Sequence, residues 1–256
     1  VYTAHGIAFR KNQRWLRQGV MKAAERIAIH RVAGLASVSR ADLQALRGLR
    51  KMRHTAFKYI PNPVDTARFQ PADIENAKLR LGIPVDSFVV GTVSRLVEQK
   101  GVDVLIRAAA QVPGIDLVIV GSGHLEGELK RLAVSLGVNC LFLGERQDIP
   151  EILPAFDVFA LSSLWEGEPL SLLEAMACGV GCVASMTPGA QDILEQGAAG
   201  ALFPIGDAGA LAKVLRHFRE EPEQVRNLGR AGLGVARTRT VDRMVDDTLA
   251  LYRACL

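Results

Sequence analysis

FVVGTVSRLVEQKGVDVLIRAAAQVPGIDLVIVG, residues 88–121, reads as a strand, a loop, a helix and a second strand. The runs 88–94 and 116–121 are short and almost wholly apolar, and a helix is expected over 101–111 between them. A strand that is apolar at every position is covered on both faces, which is the habit of a parallel sheet with helices above and below. The same alternation continues outward. From Ile74 onward, further strands are expected at 141–143, 158–160, 181–185 and 201–203. Helices are expected at 74–82, 125–137, 148–154, 169–178, 189–196, 207–220, 222–236 and 240–254. The fold class is therefore α/β with a parallel sheet, and ligands of such sheets lie beyond the carboxyl ends of the strands.

Upstream the pattern is sparser. A strand at 2–4 leads into a loop at His5-Gly6, and a helix follows over 13–33 with Trp15, Leu16, Val20, Ala23, Ile27 and Val32 as its apolar set. A strand at 35–38 precedes a helix at 39–49, where Ser39 and Asp42 form a capping pair. After a strand at 57–60, Pro61-Asn62-Pro63-Val64-Asp65 is stiff and extended and marks a boundary or hinge. Neither internal repeats nor low-complexity segments occur. The chain begins at Val1, already in strand-like sequence, and is expected to be a piece of a longer protein.

The 256 residues are 49% hydrophobic and 23% charged, an ordinary globular composition, and no apolar run reaches the length of a membrane span. Charge is uneven. Residues 1–58 hold thirteen Lys and Arg against two acids, a net +11, so the remainder carries −7 of the formal +4. A basic segment of this kind meets a polyanion or is simply solvated, and anionic lipid and nucleic acid are both candidates on charge alone. Trp15 among Arg10, Lys11, Arg14 and Arg17 is either an interfacial anchor or a core residue. Cys140, Cys178, Cys182 and Cys255 lack a zinc spacing and read as reduced thiols, three of them in apolar contexts. The five histidines form no H-x-x-H or H-E-x-x-H pattern, so no metal site is expected.

The loops after the strands share a chemistry. Ser94 to Gly101 carries Arg95 and Lys100 ahead of a helix start, an arrangement fit for a diphosphate. Gly121-Ser122-Gly123 opens like a dinucleotide fingerprint, but the third glycine and the later acid are missing. The loop 144–148, with Arg146, has backbone groups that can read a base edge. WEGEPLSLLEAMACG, residues 165–179, sets Glu166 before a helix and Glu174 just over one turn inside it, with Pro169 at the first helical position. Carboxylates beside an anion site make sense if they accept from hydroxyls of a sugar or ribose. Taken alone, they are equally two solvated acids on a capped helix. Together the loops favour a ligand with phosphates and hydroxyls, such as a nucleoside diphosphate sugar.

VSRLVEQKG at 93–101 and SSLWEGEPLSLLEAMACG at 162–179 resemble the donor-binding domain of GT-B glycosyltransferases of family 4, in which an Arg/Lys loop is paired with two glutamates that have seven residues between them. IPNPVDTARF at 60–69 resembles that family's interdomain segment, and YTAHG at 2–6 the last part of its amino-terminal domain. The resemblance implies a GT-B fold with part of an amino-terminal, acceptor-side domain at 1–60, a hinge at 61–72, a complete Rossmann-like nucleotide-sugar domain at 73–239 and a terminal helix at 240–256 that crosses back. It also implies that the earlier part of the amino-terminal domain lies outside this sequence. The crossing helix is then expected to expose apolar surface, with weak activity and self-association as consequences.

The roles implied by the resemblance are these. Arg95 and Lys100 neutralise the diphosphate, Glu166 contacts the transferred sugar, and His5 reaches across the cleft. Glu174 accepts from the ribose, Leu170 and Ser171 present helix-start N–H groups, and Arg146 lies by the base. Ser94, Gly121, Gly123, Gly167 and Glu168 complete the donor set. The reaction implied is retaining and needs neither metal nor cofactor. The donor would be a UDP- or GDP-sugar and the acceptor a glycan or lipid-linked sugar. The implied location is cytoplasmic, on the inner membrane face through the basic 10–58 segment, with no nucleic-acid partner.

Departures from the family pattern concentrate in two places. Glu168-Pro169 replaces a usual aromatic-Gly and is expected to put extra charge near the sugar pocket. Pro188-Gly189-Ala190-Gln191-Asp192 matches the usual Gly-Gly and glutamate only approximately, and Pro63 stiffens the hinge. Alternatives are a GT-B nucleotide-sugar epimerase and a non-catalytic nucleotide-sugar-binding module. A dinucleotide oxidoreductase rests on Gly121 and Gly123 alone.

Overall fold

A computed structural model describes residues 1–5, 15–48 and 56–256, without the side chains of 15–18, 20–22 and 196. Of the basic segment, Arg10, Lys11, Arg14, Arg50, Lys51 and Arg53 lie outside the described residues, as do the side chains of Trp15, Arg17 and Lys22.

Two parallel sheets organise the chain. The first is built from β1 (Tyr2–Ala4), β2 (Gly34–Ser37) and β3 (Ala56–Tyr59), with α1 (Trp15–His30) and α2 (Arg40–Gly48) as the connections. The Ser39 hydroxyl accepts from the Asp42 N–H at 3.4 Å, the expected cap. The second unit runs α3 (Ile74–Arg80), β4 (Phe88–Val93), α4 (Val102–Ala109), β5 (Ile115–Val120), α5 (Glu126–Ser135), β6 (Cys140–Gly144) and α6 (Ile149–Ile152). It continues through β7 (Val158–Leu161), α7 (Leu170–Ala177), β8 (Gly181–Ser185), α8 (Pro188–Ile193), β9 (Ala201–Phe203), α9 (Ala208–Glu220) and α10 (Pro222–Arg237). Its six strands lie in the order β6-β5-β4-β7-β8-β9.

Alternate residues of these strands feed two cores, one on each face. Val89, Val118, Val120 and Phe159 pack with Leu172, Leu173 and Met176 of α7 on one side. Val90, Leu117, Ile119 and Val158 pack with Leu105, Leu215 and Phe218 on the other. Both faces being buried is what the unbroken apolar runs require. Where the expected elements shift, local chemistry explains it. Pro169 precedes α7 in extended backbone (φ −74°, ψ 114°) instead of occupying its first turn. The helix expected over 148–154 closes after four residues and continues as a tight 3₁₀ turn, Leu153–Ala155, because Pro154 has no N–H for the α-ladder.

The last helix, α11 (Val241–Arg253), returns to the first sheet. Leu251 is buried with Ala36 and Ile60, and Lys58 pairs with Asp247 at 2.9 Å. The other side of α11 leaves Val241, Val245, Leu249 and Tyr252 roughly half exposed.

Candidate active site

The strand order reverses at one point. From β4 the chain moves outward through β5 to β6, then returns to β7 beside β4 and moves the other way to β9. Connections therefore leave β4 and β7 toward opposite faces, and a crevice opens at their carboxyl ends. The two loops there are 94–101 and 162–169, the pair that the sequence marks.

They are laced together. The Leu164 N–H donates to the Gln99 carbonyl at 2.8 Å, and the Ser162 hydroxyl to the Lys100 carbonyl at 3.1 Å. Gly101 occupies the left-handed region (φ 54°), and a Cβ there would meet the Ser162 carbonyl oxygen at 2.4 Å, so two requirements select glycine. Lys100 Nζ pairs with Glu166 Oε1, which also accepts from the Ser163 hydroxyl at 2.7 Å. Side-chain exposure is 15% for Lys100 and 8% for Glu166, so the pair is largely withdrawn from water. Arg95 is exposed and has no ion-pair partner among the described residues. The expected cradle of two cations is thus one compensated and one free. Ser94, at the end of β4, has a buried hydroxyl with no hydrogen-bond partner among the described residues. An unmet buried polar group costs about 1–3 kcal/mol, which a ligand group would recover.

Leu170 and Ser171 stand at the start of α7, where N–H groups lack intrahelical partners. Glu174 follows one turn later. Burial raises its carboxyl above the usual carboxylate range, and the Arg68 charge opposes the shift. Arg68 comes from the hinge and also donates to the Gln147 carbonyl at 3.3 Å, so it spans the ribose and base residues implied above. Nothing in the spacing of the sequence points to it. Arg146 pairs with its neighbour Asp148, with Nε donating at 2.8 Å. Gly121 and Gly123 are packing residues, since a Cβ at either would lie 2.0 Å and 2.2 Å from the carbonyl oxygens of Ser94 and Leu96. They press the β5 exit loop onto the Arg95 loop. His5 is exposed, directly after β1.

Glu168 departs from expectation: its charge is expected near a sugar pocket, but the structure commits its carboxylate to the segment that joins the two sheets. It accepts from the Asn62 N–H at 2.5 Å and from Arg239 at 2.7 Å, and its side chain is fully buried. Asp192 has a similar bridging place, accepting from the Arg40 N–H at 2.9 Å. Tyr59, Asn62 and Arg239 were not legible as partners, because 180 residues separate the first from the last. A cavity of about 440 Å³ adjoins this cluster, lined by Arg40, Tyr59, Asp192, Arg239 and Arg243 among others.

Two parallel sheets joined by a connecting segment, with the crevice at the switch point of the second, define an α/β protein of GT-B type. The sequence profile of the Glycosyl transferases group 1 family matches residues 73–234, and the chain belongs to that family. It is 36% identical over 195 residues to a GDP-mannose-dependent monoacylated alpha-(1-6)-phosphatidylinositol monomannoside mannosyltransferase of Corynebacterium glutamicum, covering 70% of this chain and 51% of that one. It is 34% identical over 227 residues to the UDP-Gal:alpha-D-GlcNAc-diphosphoundecaprenol alpha-1,3-galactosyltransferase of Escherichia coli, covering 84% and 58%. The chain thus spans little more than half the length of these relatives. Among solved structures it resembles Anabaena Alr3699/HepE in complex with UDP and glucose, with 28% identity, a TM-score of 0.85, and coverage of 97% of this chain and 71% of that one.

Proposed function

We propose that the chain carries the donor site of a retaining glycosyltransferase, which moves a sugar from a UDP- or GDP-sugar to a lipid-linked or surface-polysaccharide acceptor. The observation that carries this reading is the largely buried Lys100–Glu166 pair at the switch point, with Arg95 exposed on the same loop as Lys100 and without an ion-pair partner among the described residues. A diphosphate placed there meets Arg95, Lys100 and the α7 N–H groups, while Glu166 and Glu174 accept from hydroxyls. The names of the relatives support a nucleotide-sugar donor and a lipid-linked acceptor, since they pair GDP-mannose with a phosphatidylinositol glycolipid and UDP-galactose with a diphosphoundecaprenol.

In the reaction we infer, the bond from the sugar C1 to the leaving phosphate oxygen breaks while the acceptor hydroxyl oxygen bonds to C1 on the same face. The departing phosphate takes the hydroxyl proton. Catalysis then consists of positioning and of stabilising charge on the leaving group by Arg95 and Lys100, without a metal. Action at the inner face of the cytoplasmic membrane follows from the basic segment and the acceptor class. No helix among the described residues is long and apolar enough to cross a membrane.

Calorimetric titration of the chain with UDP, GDP, UDP-glucose, UDP-galactose and GDP-mannose, with and without EDTA, tests the donor reading. At least one is expected to bind, equally well in EDTA, and Arg95→Ala is expected to weaken it. No binding by any of the five sinks the proposal.

A further inference from the structure

Glu168 follows two residues after Glu166, in the loop that lines the crevice, yet every partner of its carboxylate belongs to the joint between the two units. Tyr59 comes from the end of β3, Asn62 from the hinge and Arg239 from the turn before α11. The partners also hold one another. Arg239 donates to the Tyr59 hydroxyl at 3.2 Å, and its carbonyl accepts from the Val64 N–H at 2.8 Å. Asn62 Nδ2 donates to the Glu168 carbonyl at 3.3 Å, so backbone as well as side chain is tied. On the crevice side, the Gly167 carbonyl is pressed against Gly189 of α8. Residues 166–168 are therefore held at both ends, Glu166 by Lys100 and Glu168 by the hinge contacts.

A buried ion pair adds little net stability over an apolar pair of similar size, because desolvation offsets the attraction. Its effect is directional, since the charge is tolerated only where its partners meet it. Where the family resemblance leads one to expect an aromatic side chain, this chain commits a carboxylate with three partners to one geometry. We propose that Glu168 is a positioning residue that couples the donor crevice to the hinge, so that a nucleotide in the crevice fixes the first unit against the second. The proposal rests on the reading of that crevice as a nucleotide-sugar site.

Amide hydrogen exchange at Asn62 and Val64, measured on the whole chain with and without saturating UDP or GDP, tests the coupling. In the wild type the nucleotide is expected to slow exchange at both amides about tenfold, within the usual range of coupling between sites. The variant Glu168→Leu with Arg239→Met removes both buried charges together, which guards against a fold lost to one unpaired charge. It is expected to bind the nucleotide and to show no change at the hinge. Glu168→Gln, whose amide oxygen still accepts from the Asn62 N–H, is expected to keep part of the response. Wild-type binding without hinge protection overturns the coupling alone, as does a double variant that responds like the wild type. Absence of nucleotide binding overturns the donor reading, and the coupling with it.

Discussion

Lys100 and Glu166 sit on loops 66 residues apart in sequence and form one unit in space. Removing either leaves the other largely buried and unpaired, so their effects are not independent. In the transfer reaction proposed above, Arg95→Ala and Lys100→Ala are each expected to raise the barrier by about 3 kcal/mol, as for loss of an oxyanion donor. Lys100→Ala combined with Glu166→Gln is expected to cost less than the sum of its parts. Steady-state kinetics of the wild type, Lys100→Ala, Glu166→Gln and the double variant provide the cycle, and normal turnover in Arg95→Ala or Lys100→Ala refutes the assignment. Glu174 gives a pH signature. Burial raises its folded pKa above the ordinary 4.5, so the native state holds the proton more tightly than the unfolded chain. Its contribution therefore favours lower pH and is lost as pH climbs from the ordinary value through the folded one. Urea unfolding across that window is expected to show a smaller loss of stability in Glu174→Gln than in the wild type; equal slopes exclude a buried carboxyl.

Among the elements, α8 and the crevice loop meet without room for a side chain. A Cβ on Gly189 would lie 1.5 Å from the Gly167 carbonyl oxygen, a backbone atom that cannot swing aside. Gly189→Ala is expected to destabilise by about 1–3 kcal/mol and to weaken nucleotide binding, because the displaced residue lies between Glu166 and Glu168. Gly234 in α10 is exposed, and a Cβ there meets nothing within 4 Å. Gly234→Ala is expected to stabilise by about 0.5–1 kcal/mol through helix propensity. Denaturant melts of the two variants should move in opposite directions, and a shared direction removes the packing argument. The elements themselves were legible: unbroken apolar runs marked the buried strands, and Ser39 and Asp42 marked the start of α2. Pro169 was misplaced by one residue, because its rigid φ serves a position just before a helix as well as one just inside it.

For the whole molecule, the joint depends on α11 and the hinge. Leu251 is 2% exposed and packs with Ala36 of β2 and Ile60 at the hinge. Leu251→Ala is expected to cost about 2–4 kcal/mol, with loss of exchange protection at Ala36 and Ser37 and little change in β5. A uniform loss across both sheets would mean that the two units unfold as one. The exposed side of α11 bears the apolar stripe expected from its sequence. The burial of Cys178 and Cys182 accords with inert thiols, the Cys178 thiol being pushed up to about 12 by burial.

Local order was written into the chain. Strand and helix follow from apolar periodicity, and the crevice loops from Arg95, Lys100 and Glu166 after strands with Glu174 in the helix that follows, because each depends on neighbours within a few residues. Tertiary structure decided which charges are free. Lys100 is neutralised by Glu166, Arg95 has no ion-pair partner among the described residues, and Glu168 belongs to the hinge, since the partners of a carboxylate are chosen by what folding brings within about 3 Å of it, and sequence distance says nothing about that.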